Sequence, residues 1–195
     1  MVGQEKPRME KLSRQQILSL PNGITVTRIL AIPLILVLLK NPDRNYQIMT
    51  AVLFFLAAVT DTLDGYFARK RRMVTTLGKF LDPMADKLLI VTTLIGLITT
   101  RGIPVWMVIV IVGREIAVTG LRGIAASQGI IIAAGRLGKY KTVFEVASVT
   151  FFILNGDYLS IRLYHLGMAL LWVAVILAVL SGFDYFRKFL KEIIL

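Results

Sequence analysis

Six apolar stretches, at residues 23–40, 46–68, 83–100, 104–126, 139–155 and 163–186, set the limits on what this 195-residue chain can fold into. Their lengths are close to the ~20 helical residues that cross a bilayer core of ~30 Å. They are apolar all round, unlike amphipathic surface helices, and too long for strands. The sequence therefore predicts an all-α integral membrane protein of six transmembrane helices. Pro104 suits the first helical position of the fourth. Hydrophobic residues make up 56% of the chain and charged residues 18%, which excludes an ordinary soluble domain and a disordered chain.

Residues 1–22 differ from the rest. Lys6, Arg8, Lys11 and Arg14 alternate with Met9, Leu12, Ile17, Leu18 and Leu20. This pattern predicts an interfacial amphipathic helix ending near Pro21, not a secretory signal. Residues 23–195 then form one membrane domain with short loops and no internal repeat.

Orientation follows from the basic residues. With the N-terminus inside, the inner segments hold fifteen: Lys6, Arg8, Lys11, Arg14, Arg69, Lys70, Arg71, Arg72, Lys79, Arg136, Lys139, Lys141, Arg187, Lys188 and Lys191. The outer loops hold four, Lys40, Arg44, Arg101 and Arg162. This asymmetry places both termini in the cytoplasm. The net charge of +11 then reflects headgroup contact and topology, not nucleic-acid binding. The chain has no cysteine and one histidine, His165, near the outer end of the sixth stretch. Thiol chemistry and multi-histidine metal sites are excluded, so any metal must be held mainly by oxygen.

Acidic residues stand in or beside these apolar stretches: Asp61, Asp64, Asp82, Asp86, Glu115 and Glu145. Ionisable groups at membrane depth are costly and mark functional interiors or wet cavities. Asp61 and Asp64 are three apart, and Asp82 and Asp86 four apart, so each pair shares a helix face. One pair ends the second stretch and the other opens the third. Asp61 lies about 12 Å along its helix from Arg69, just inside the cytoplasmic boundary. Four gathered carboxylates repel one another, and one or two hard divalent cations relieve that. Each also has a plainer reading. Asp82 before Pro83 reads as a helix N-cap, Asp86 as a helix-start charge, and Asp61 and Asp64 as solvated residues near a helix end.

The run Asp61-Thr-Leu-Asp64-Gly65-Tyr-Phe-Ala68-Arg69, then eight residues, then Gly78-Lys-Phe-Leu-Asp82-Pro-Met-Ala-Asp86, resembles the motif of the CDP-alcohol phosphotransferase family at every fixed position. The resemblance implies a six-helix membrane fold with a cytoplasm-facing cavity, usually as a homodimer. It implies a pair of divalent ions, Mg²⁺ or Mn²⁺, held by Asp61, Asp64 and Asp82, with Asp86 as general base and a further metal ligand. Nucleotide contacts would come from Asp61, Asp64, Gly65, Ala68, Arg69, Thr75, Gly78 and Asp82. The implied reaction is displacement at the phosphorus bearing diacylglycerol, with CMP leaving from CDP-diacylglycerol.

The acceptor is suggested by other residues. Arg114 and Arg122 are eight apart on the fourth stretch, and Lys139 and Lys141 open the fifth. Such cations can hold an acceptor phosphate; alternatively, loop cations obey the orientation rule and Arg114 pairs with Glu115 or Glu145. The segments Asn22-Gly-Ile-Thr25-Val-Thr-Arg28, Gly113-Arg114-Glu115, Gly120-Leu-Arg122 and Gly138-Lys139-Tyr-Lys141-Thr142 resemble the branch of the family that uses glycerol 3-phosphate. Asn22, Thr25 and Arg28 would be further site residues. Phosphatidylglycerol and inositol phosphate are the alternative acceptors. Outside the family, a divalent-cation transporter would also use buried aspartates, but it predicts an inverted repeat that the chain lacks.

Overall fold

The computed structural model describes residues 20–71, 76–130, 135–158 and 161–193. Within these, the backbone alone is described for residues 20–26, 61–71, 76–84, Asp86, Asp157, Tyr158, Ile161 and Ile193. The amphipathic segment, apart from its last residues, and Thr75 lie outside the described residues. The described chain is helical: α1 (Leu20–Leu38), α2 (Arg44–Arg71), α3 (Thr76–Arg101), α4 (Val105–Ser127), α5 (Arg136–Leu154) and α6 (Leu163–Ile193). A two-residue antiparallel ladder, β1 (Asp157–Tyr158) with β2 (Ile161–Arg162), turns the chain between α5 and α6.

Each apolar stretch became one helix, and some helices outrun their stretches. α3 begins at Thr76, seven residues before the third stretch, and α6 continues to Ile193. Backbone hydrogen bonding, not hydropathy, sets a helix end once the chain leaves an apolar region. Two expectations are corrected as a result. Asp82 is not an N-cap, because it lies six residues inside α3. Pro83 is interior too, and its missing N–H cannot bond the Lys79 carbonyl. Pro104 is the N-cap of α4, with extended backbone (φ −63°, ψ 123°), and not its first helical residue. Gly102 (φ +66°) and Gly129 (φ +76°) follow α3 and α4 in the left-handed region where glycine carries no Cβ penalty.

The helices form one bundle. α5 packs most extensively on α6, and α1 on α3, α4 on α6 and α2 on α5 follow. Ile35, Phe54, Leu89, Leu94, Leu97, Ile111, Phe152, Ile153 and Leu171 are fully buried at the centre. Small residues let helices meet. A Cβ on Gly167 would lie 3.2 Å from the Phe152 ring, and the nearby Ser148 hydroxyl donates to the Gly167 carbonyl at 2.7 Å. Such close small-residue contacts with a hydroxyl bridge are typical of helices packing in lipid. Arg101, at the end of α3, donates to the carbonyls of Phe152 (3.1 Å) and Ile153 (3.4 Å) near the end of α5.

The outside of the bundle is also apolar. Leu30, Val37, Ile109, Ile116, Val143 and Phe183 are each more than 60% exposed. Among the described residues, α6 is the helix long and apolar enough to cross a membrane by composition alone, with a mean hydropathy of 2.4.

Candidate functional site at one end of the bundle

The aspartate motif straddles the hairpin of α2 and α3, which touch each other. Asp61 and Asp64 lie ten and seven residues before Arg71, and Asp82 and Asp86 lie six and ten residues after Thr76. At ~1.5 Å per residue, Asp61 and Asp86 both stand about 15 Å from the hairpin end, and Asp64 and Asp82 about 10 Å. Counted along each helix, the two pairs are thus similarly far from the helix ends that residues 72–75 join. The side chains of all four, and of Ala68 and Arg69, are outside the described part, as are those of Asn22 and Thr25; Gly65 and Gly78 are placed by their backbone.

Arg28, on α1, is buried, and its Nε donates to the carbonyl of Ala57 on α2 at 3.1 Å. Ala57 is one turn before Asp61, so α1 is tied to the aspartate helix close to the motif.

Beside this region opens a cavity of about 540 Å³ between α3, α4, the start of α5 and α6. Lys87, Arg114, Glu115, Arg122, Lys139, Asp184 and Tyr185 line it among others. Lys87 is the residue immediately after Asp86, so the cavity begins where the aspartate motif ends. The cavity is lined by α4 and α6 toward their C-terminal ends and by α3 and α5 toward their N-terminal ends.

A network of ion pairs forms the cavity wall. Glu115 Oε1 accepts from Arg114 Nη1 at 2.8 Å and from Lys141 Nζ at 2.5 Å. Glu115 Oε2 lies 3.7 Å from Lys87 Nζ, and Lys87 also donates to the Thr119 hydroxyl. Lys141 Nζ lies 2.8 Å from Glu145 Oε1, one turn along α5. Lys141 and Glu145 are each 2% exposed. Charges that deep need partners, and here each has one.

Of the four cations expected at an acceptor phosphate, Arg114, Arg122 and Lys139 line the cavity, while Lys141 stands behind its wall between two carboxylates. Arg114 both lines the cavity and pairs with Glu115, so the two sequence-level readings of this residue are compatible. Arg122 donates to the Tyr185 hydroxyl at 3.2 Å, with its guanidinium carbon 5.1 Å from that ring's centre. His165 is exposed near the start of α6, at the opposite end, edge-on to Tyr164.

Several cavity residues were missed by sequence reasoning. Ser181, Asp184 and Tyr185 are polar groups at helical spacing inside the apolar run of α6, and that interruption is the signal. Gly182 and Gly138 flank Arg114: a Cβ on either would lie 3.3 Å from its side chain. Nothing in a single sequence marks that contact.

The helices that carry the aspartate motif thus stand next to a cavity with Lys87, Arg114, Arg122 and Lys139 in its lining. The profile of the CDP-alcohol phosphatidyltransferase family matches residues 18–180, and the chain belongs to that family. A CDP-diacylglycerol–glycerol-3-phosphate 3-phosphatidyltransferase of Bacillus subtilis is 42% identical over 182 residues, covering 87% of this chain and 94% of the relative. One from Rickettsia typhi, with the same name, is 36% identical over 174 residues, covering 87% and 96%. A rice protein named cardiolipin synthase (CMP-forming) is 36% identical over 191 residues, covering 89% of this chain and 58% of the relative.

Proposed function

We propose that the chain transfers a phosphatidyl group from CDP-diacylglycerol to glycerol 3-phosphate, giving phosphatidylglycerophosphate and CMP. The observation that carries this reading is the continuity from Asp86 to Lys87, which joins the aspartate motif to a cavity rich in cations. The Bacillus subtilis and Rickettsia typhi relatives, both covered over nearly their full length, bear the name of this activity.

In this reading the six helices span the membrane, with both termini and the site at the cytoplasmic face of the inner membrane. The apolar outer surface of the bundle supports that placement. The homodimer implied by the family belongs to the same proposal.

Asp61, Asp64, Asp82 and Asp86 offer an all-oxygen donor set on two touching helices, which fits Mg²⁺ or Mn²⁺. When bound, such ions neutralise charge on the diphosphate as it moves onto CMP. Gly65, Ala68, Arg69, Thr75 and Gly78 would hold the cytidine nucleotide alongside the aspartates. Arg114, Arg122 and Lys139 would hold the acceptor phosphate, with Lys141 supporting the wall. The acceptor hydroxyl oxygen attacks the phosphorus that carries diacylglycerol. Its proton passes to Asp86, and the bond from that phosphorus to the CMP oxygen breaks. No covalent intermediate with the protein is needed.

The test is CMP release by purified protein with CDP-diacylglycerol, Mg²⁺ and a panel of acceptors. Activity with glycerol 3-phosphate supports the reading; activity with inositol phosphate and none with glycerol 3-phosphate overturns it. The match to a cardiolipin synthase makes phosphatidylglycerol the second acceptor to try.

A further inference from the structure

We infer that Glu115 is a positioning residue for the acceptor, gathering the cations of three helices into one phosphate-binding wall. The inference rests on reading the cavity as the acceptor-phosphate site. Glu115 has its two oxygens shared among Lys87 from α3 at 3.7 Å, Arg114 from α4 at 2.8 Å and Lys141 from α5 at 2.5 Å. Without a shared anion these three cations repel one another in a poorly solvated place. With it they stay within reach of one point, and the lysine behind the wall is fixed by Glu145.

A carboxylate beside an anion site also opposes the ligand, so the balance of charge decides its role. Three cations face two carboxylates in this network, and Arg122 and Lys139 add to the positive side of the cavity. Asp184 lines the cavity too, but Lys188 holds it at 2.7 Å. The site therefore keeps an excess of positive charge for a phosphate. Glu115 also takes only part of the Arg114 guanidinium: its Nε is buried without a hydrogen-bond partner among the described residues. Glu115 thus holds the arginine through Nη1 and leaves the rest of its guanidinium untaken.

The experiment compares wild type with Glu115→Gln and Glu115→Asp, measuring kcat and the KM for glycerol 3-phosphate and for CDP-diacylglycerol, with the melting temperature of each. Losing a charge-assisted contact of this kind is expected to raise the acceptor KM about ten-fold or more in Glu115→Gln. The donor KM should stay within about two-fold, and Glu115→Asp should fall between because its charge remains. An unchanged acceptor KM overturns the inference. So does a parallel rise in both KM values with a lowered melting temperature, the mark of a purely structural role. If Glu115→Gln does not survive purification, Glu115→Asp decides by the same criteria. If wild type itself accepts no glycerol 3-phosphate, the reading of the cavity fails first, and the two failures are told apart.

Discussion

Arg28 reaches from α1 to the backbone of α2, where its Nε donates to the carbonyl of Ala57 at 3.1 Å, one turn before Asp61. A buried guanidinium on that carbonyl fixes how the first helix sits against the aspartate helix. Arg28→Ala should destabilise the bundle by about 1.5–3 kcal/mol, the usual range for a hydrogen bond to a charged group. Arg28→Lys, which keeps the charge without the planar fork, should recover only part of this. Thermal unfolding in detergent checks both.

Asp86→Asn should abolish turnover while nucleotide and metal binding largely persist. The amide preserves size but cannot take the acceptor proton. CMP release, set beside nucleotide binding measured by calorimetry, separates the two effects. Near-normal turnover would remove Asp86 from the role of base.

Arg114→Ala should raise the KM for glycerol 3-phosphate by roughly ten-fold or more and alter the CDP-diacylglycerol KM far less, since a lost charged hydrogen bond is worth about 1.5–3 kcal/mol. Equal effects on both substrates would contradict its place at the acceptor.

Gly182→Ala should give a weaker form of the same defect. The added methyl would sit 3.3 Å from Arg114 Cγ and press that side chain by a few tenths of an ångström. Steady-state kinetics should show a rise in acceptor KM of about two- to five-fold, a displacement cost under about 1 kcal/mol.

Arg101→Ala should act on stability and leave kinetics alone. Its guanidinium serves carbonyls of Phe152 and Ile153 near the end of α5, at the pole away from the cavity. A loss of about 1–3 kcal/mol in unfolding with unchanged KM values is expected.

The helical architecture was legible because a long apolar run must satisfy its own backbone hydrogen bonds, which favours a helix. Helix ends were less so. The segment from Thr76 to Asp82 is mixed in polarity, so hydropathy placed the start of α3 too late and made Asp82 look like a cap. The cations of the cavity could be picked out as basic residues embedded in or beside apolar stretches. Their partners could not, because they come from other helices: Arg122 meets Tyr185 63 positions away, and Lys141 meets Glu115 26 positions away. Lys141 was expected to face the ligand, yet tertiary packing put it behind the wall, between Glu115 and Glu145.

In the proposed mechanism, carboxylates from α2 and α3 hold divalent ions together. Mn²⁺ binding to purified protein with CDP-diacylglycerol, followed by the electron paramagnetic resonance of free Mn²⁺, tests it most directly. Asp61→Asn on α2 and Asp82→Asn on α3 should each weaken Mn²⁺ binding by at least about ten-fold, since removing one charged ligand costs more than 1.4 kcal/mol. Wild-type Mn²⁺ affinity in both variants would contradict the account.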